Sequence, residues 1–134
     1  MATIRSYTTI NQSKFLADTL QIESADMYYF RQIDNDYFPP DVESICPIPL
    51  FKDGKEDFNY DIPCWSLSAL LNILHSRQGD IPSLSGGGYK DGKYISDWCL
   101  DYEFENGDYQ KTFADNPVDV CVAIIEKLHE QKLL

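Results

Sequence analysis

The chain predicts an α+β domain. A small antiparallel sheet, with strands near 27–33, 82–89 and 93–105 and a further candidate at 109–113, packs against helices near 9–20, 65–76 and 117–131. Three observations carry this reading. From Tyr94 to Phe104 the bulky apolar residues Tyr94, Trp98, Leu100, Tyr102 and Phe104 hold the even positions, interrupted only by Ser96. That is the period of two of a half-buried strand. Leu67, Leu70, Leu71 and Leu74 follow the i, i+3, i+4, i+7 rule of an amphipathic helix. Asn116-Pro117 places an N-cap and a first-turn proline ahead of a stripe of Val118, Cys121, Val122, Ile125 and Leu128.

The elements follow in order. Thr9-Ile10-Asn11-Gln12 has the form of a capping box, with the Thr9 hydroxyl bonding forward and the Gln12 amide reaching back. Ile10, Leu16, Ala17 and Leu20 then share one helical face, and Phe15 lies off it. Met27–Ile33 is rich in strand formers and apolar on both faces near its start, which places it inside a sheet rather than at an edge. Whether it pairs with the 94–104 strand is open at this level. Pro63-Cys64-Trp65-Ser66 opens the leucine helix. Ser66 stands as N-cap, Trp65 and Leu70 form a hydrophobic staple, and Gly79 is the stop. Lys90-Asp91-Gly92-Lys93 is a type I′ hairpin turn between Tyr89 and Tyr94. Extending that register puts Ser85 opposite Trp98 and Gly87 opposite Ser96. Asn106-Gly107 marks a second turn, before Tyr109–Phe113.

Residues 34–62 connect the first strand to the leucine helix within what reads as one domain over 1–134. Pro39, Pro40, Pro47 and Pro49 forbid a helix and interrupt any central strand. A short edge strand is expected near Glu43–Cys46 or around Leu50–Phe51, because a structureless connection of this length is uncommon in a compact domain.

The net charge of −11 is concentrated, with −5 in residues 31–62 and −4 in residues 81–116. Such acidity disfavours direct binding to nucleic-acid phosphates or an anionic membrane and suits a basic protein partner. No apolar run approaches the roughly 18 residues of a membrane helix, and the start lacks a signal peptide's apolar region, so a cytoplasmic location is expected. Cys46, Cys64, Cys99 and Cys121 form no Cys-x-x-Cys pair, and reduced thiols are their expected state.

Candidate chemistry is sparse. Asp97, Asp101, Glu103 and Glu105 project to one side of the predicted strand, with neighbours about 6.5–7 Å apart. Inverting glycosidases hold two carboxyls at about that separation, yet a solvated strand face gives the same spacing, and that reading is preferred. No calcium-loop pattern accompanies them. Cys64 near a helix N-terminus would favour a thiolate, but His75 and His129 sit late in their helices, so a cysteine packed beneath the leucine helix is expected. Ser85-Gly86-Gly87-Gly88 lacks the Gly-Lys-Ser/Thr ending of a phosphate loop and reads as a bulged strand. Among the acidic residues of 34–62, Tyr37 and Phe38 are candidates for a docking surface, since aromatic rings are enriched at interface cores. No cofactor or metal site is expected.

Thr8-Thr9-Ile10-Asn11-Gln12-Ser13-Lys14, Ala25-Asp26-Met27-Tyr28, Ile62-Pro63-Cys64-Trp65-Ser66-Leu67-Ser68-Ala69-Leu70-Leu71 and Asn116-Pro117-Val118-Asp119 resemble segments of small proteins encoded by phages and mobile elements of gut Bacteroidales. The resemblance implies an intracellular role in a phage-bearing bacterium and carries no catalytic residue over. The expected function is a non-enzymatic accessory protein that binds another protein, with Asp97, Asp101, Glu103, Glu105, Tyr37 and Phe38 as the candidate surface. The alternatives are an acidic mimic of nucleic acid that inhibits a DNA-binding protein, and a small hydrolase using Cys64 or the strand carboxylates. The oligomeric state is open, with a dimer through a sheet edge conceivable.

Overall fold

The computed structural model describes residues 5–30, 48–58, 61–78, 83–95, 97–104, 107 and 109–132. Tyr37, Phe38, Cys46, Gly79, Glu105, Asn106 and the strand candidate at 43–46 lie outside the described residues. The elements run α1 (Ile10–Thr19), a 3₁₀ turn (Ile22–Ser24), β1 (Met27–Tyr29), β2 (Leu50–Phe51), β3 (Ile62–Cys64), α2 (Leu67–Gln78), β4 (Ser83–Ser85), β5 (Gly88–Lys90), β6 (Lys93–Ile95), β7 (Trp98–Glu103), β8 (Tyr109–Ala114) and α3 (Pro117–Glu130). The α+β class is as expected. The sheet is not single, however. Strand orders are β2-β1-β3, β4-β7-β8 and β5-β6, all antiparallel.

The starts of α1 and α2 are built by side chains that the sequence already shows. At α1 the Thr9 hydroxyl accepts the Gln12 N–H at 3.1 Å, and the Gln12 Oε1 accepts the Thr9 N–H at 3.0 Å. At α2 the Ser66 hydroxyl accepts the Ala69 N–H at 3.1 Å, and the Asp26 carboxylate takes both the N–H and the hydroxyl of Ser66. Trp65 and Leu70, the two ends of the expected staple, are both fully buried. At α3 Asn116 occupies the N-cap position with Pro117 behind it, but its side chain makes no capping bond. Its Oδ1 accepts the backbone N–H of Arg5 instead. The Arg5 guanidinium then pairs with Asp119, which also accepts the Gln12 side-chain amide at 2.8 Å. The segment before α1 is thereby tied to the first turn of α3.

The main core gathers Leu16, Trp65, Leu70, Leu74, Leu100, Tyr102 and Phe104 around α3. The predicted stripe of α3 is buried, and so are Val120 and Ile124 on its opposite side. The helix lies against β7 and β8 and also against α2, so it is enclosed from two directions. Burying each such aliphatic side chain contributes roughly 1.5–3 kcal/mol, which makes α3 the largest apolar investment of any described element. A second, smaller cluster of Met27, Tyr29 and Cys64 packs with Tyr7, Ile10 and Ile62.

Three expectations need correction. The 65–76 helix begins at Leu67, and the residues before it form β3, paired with β1 through Met27↔Cys64, Tyr28↔Pro63 and Tyr29↔Ile62. β3 holds an end position in its sheet, where the missing N–H of Pro63 is tolerated. β1 is indeed internal, but between β2 and β3 rather than beside the 94–104 strand, and it ends at Tyr29. The long alternating strand divides into β6 and β7. The β5–β6 hairpin pairs Tyr89 with Tyr94, whereas β4–β7 pairs Ser85 with Cys99 rather than with Trp98. Between these pairs the chain has two residues on the first side, 86 and 87, and three on the second. One extra residue on the later strand shifts the register, as a bulge does.

Candidate functional site

β7 places the expected carboxylate row. Asp101 is half-buried, Glu103 is exposed, and Asp97 is half-buried in the bend before the strand. The row is not continuous. Cys99, between Asp97 and Asp101, is buried at 2% exposure, and Lys111 of β8 is the register partner of Asp101. A base therefore stands opposite the central acid. Burial pushes the Cys99 thiol up, the Asp101 charge adds to this, and Lys111 opposes it.

The groups a hydrolase would need do not converge. Cys64 lies on β3 with its side chain in the smaller cluster, not beneath the leucine helix, and meets Thr8 and Ser13 beside the start of α1 rather than the start of α2. Its Sγ is 3.5 Å from the Thr8 hydroxyl and donates to the Thr8 carbonyl at 3.6 Å. Burial raises its pKa, against the smaller effects of hydrogen bonds from Thr8, Ser13 and Tyr29. Among the described residues this neutral thiol meets hydroxyls and a carbonyl and no general base. Cys121, fully buried in α3, is pushed up to about 12 by burial. The three described cysteines are free thiols. His129 is exposed in the last turn of α3 and meets Phe15 edge-on at 6.0 Å. His75 is half-buried on α2, beside a shallow depression of about 310 Å³ that Ser68, Leu71 and Asn72 also line. Among the described residues no group of His, Cys, Asp and Glu is placed to hold a metal ion, and no helix is long and apolar enough to cross a membrane.

Among the described residues Ile22 and, on β8, Tyr109 (74% exposed) stand out singly, and the other large exposed apolar side chains group at two places. At the β2 edge Ile48, Leu50 and Phe51 are 64%, 47% and 68% exposed. Phe51 borders a groove of about 430 Å³, floored by Met27, Tyr7 and Leu67 and edged by serines at the start of α2. The second place is the β5–β6 hairpin. Asp91 and Gly92 turn it with φ of 52° and 78°, the left-handed pair that a type I′ turn requires. Tyr89 and Tyr94 oppose each other across the strands, 65% and 61% exposed, with ring centroids 5.4 Å apart in an edge-to-face arrangement. Tyr94 also lies across Gly87, since a Cβ built there would come within 2.3 Å of its hydroxyl oxygen. The rings are thus held against the strand while their outer faces stay in water. Lys90 and Lys93, one step nearer the turn, face each other directly.

The turn itself is legible in Lys90-Asp91-Gly92-Lys93, but the exposure of the tyrosines is not. Uninterrupted alternation puts Tyr94 on the core face with Trp98 and Leu100. The glycine run at 86–88 is the one signal of irregular pairing that precedes it. Comparison with known proteins adds no relative: no family model fits the chain, and no curated protein and no solved structure matches it significantly.

Proposed function

We propose that this chain is a non-enzymatic accessory protein that binds another protein, with the β5–β6 hairpin as its principal contact. The observation that carries the reading is the tyrosine pair. Two large rings are left more than half in water yet fixed by each other and by Gly87. Ordered, amphipathic aromatic side chains lose little freedom on binding and dominate interface energetics. The resemblance of the α1, β3–α2 and α3 segments to phage and mobile-element proteins of gut Bacteroidales sets the proposed setting inside a bacterium. The buried thiols and the separated histidines weigh against hydrolysis. Lys111 opposite Asp101 weighs against mimicry of nucleic acid, which needs an unbroken negative surface.

The test is affinity capture from a Bacteroidales lysate with three tagged proteins: the wild type, Tyr89→Ala/Tyr94→Ala, and Asp101→Lys/Glu103→Lys. A specific protein retained by the wild type and by the acidic-face variant, but lost by the tyrosine variant, is the expected result. Loss with the acidic-face variant alone moves the contact to β7. Turnover of a substrate by the purified protein would overturn the reading.

A further inference from the structure

We infer that the hairpin tip binds an acidic, aromatic-containing segment of its protein partner. This rests on the protein-binding reading above and specifies the chemistry of the occupant. Lys90 and Lys93 are register partners at the end of a two-stranded ribbon, both exposed, and like charges directly opposed across strands repel. Among the described residues neither lysine has an ion-pair partner, the one such pair being Arg5–Asp119. Asp91 sits between them in the turn, so the tip carries a local excess of one positive charge in a chain whose net charge is −11. A carboxylate-bearing segment relieves the repulsion and completes two charge-assisted hydrogen bonds.

The tyrosines supply the other half of the recognition. Tyr89 and Tyr94 share the opposite face of the pleat from Lys90 and Lys93, so a segment that meets both pairs crosses the tip of the ribbon. The hairpin between Ser83 and Ile95 is composed largely of Ser, Gly, Tyr and Lys, the mix of rigid aromatic anchors and small residues that serves antibody paratopes. An aromatic side chain of the partner fits edge-on against the tyrosine pair. The acidic remainder of the molecule then acts as an orientation rule. An acidic segment is disfavoured over much of so acidic a chain and favoured at the tip, so charge biases the pose.

The test is selection of a random dodecapeptide display library on the full chain. It is repeated on Lys90→Glu/Lys93→Glu and on Tyr89→Ala/Tyr94→Ala, each checked for an unchanged circular dichroism spectrum. The expected result is enrichment of peptides carrying Asp or Glu beside Phe, Tyr or Trp. Their synthetic versions should bind the wild type roughly tenfold or more tightly than either variant, and more weakly as salt rises. Enriched peptides that depend on the tyrosines but carry no acidic residues overturn the acidic-segment inference and leave the protein-binding reading standing. Peptides that bind the charge-reversed tip equally well do the same. Absence of any tyrosine-dependent peptide removes both. Concentration-dependent self-association in sedimentation, abolished by Tyr89→Ala, would make the occupant a second copy of the chain and overturn the inference.

Discussion

Thr8 shows how much a single buried hydroxyl can hold. It is fully buried, its Oγ1 accepts the Trp65 N–H at 3.2 Å, and the same oxygen lies 2.7 Å from the Ser13 hydroxyl. Its carbonyl receives the Tyr29 hydroxyl at 2.6 Å. Thr8→Val keeps the shape but leaves the Trp65 N–H without an acceptor, so we expect a loss of about 1–3 kcal/mol in urea denaturation. A change below about 0.5 kcal/mol would mean that the network has another acceptor. Cys121 gives a pH prediction. Its thiol ionises near 9 when unfolded and near 12 when folded, so unfolding releases a proton between those values. Stability fully present below pH 9 is lost as pH rises towards 12, by about 1.4 kcal/mol per unit for this thiol. Comparing urea midpoints at pH 7.5 and 10.5, Cys121→Ala should show a shallower alkaline decline than the wild type. Equal declines would assign the effect elsewhere, Tyr29 being another group whose pKa burial raises.

At the level of the element, legibility follows how local the determinant is. The capping box, the leucine periodicity of α2 and the Asn-Pro start of α3 are set by residues within one or two turns of each other, and the sequence displays them. β3 is hidden because Pro63 argues against a strand unless the strand is known to lie at a sheet end, and that depends on β1, more than thirty residues away. The register shift between β4–β7 and β5–β6 is hidden for another reason. The alternation continues in sequence while the pairing slips by one residue; the glycine run at 86–88 marks an irregularity but does not fix the register. The candidate surface divides in the same way: its acids are visible as a row, and Lys111 enters it only through pairing. Gly87 tests the hairpin directly. Its φ of 148° and the Tyr94 ring above it leave no room for a side chain. Gly87→Ala should move the Tyr89 and Tyr94 ring resonances towards free-tyrosine positions while global stability changes by less than about 1 kcal/mol. Unmoved resonances would show that Gly87 does not order the rings.

Over the whole molecule stability is expected to be uneven. α3 and β7 lie in the main cluster, and the β5–β6 ribbon contributes to neither cluster. Amide exchange should therefore be slowest in α3, at the rate set by global unfolding, and much faster in β5 and β6 through local opening. Equal protection of ribbon and helix would show that the hairpin is locked to the rest of the molecule.

The enclosure of α3 also governs how the chain is made. Residues 117–130 form the centre of the core yet are translated after nearly everything that packs on them. Arg5 and Gln12 must wait for Asp119 across more than a hundred residues. A nascent chain that has not yet released α3 presents Leu70, Leu74, Leu100 and Tyr102 with nothing to bury them, the state that invites chaperones and proteases. Fragments ending at Asp115 should accordingly be degraded readily by added protease, and chains extended past Leu128 and released from the ribosome should be resistant.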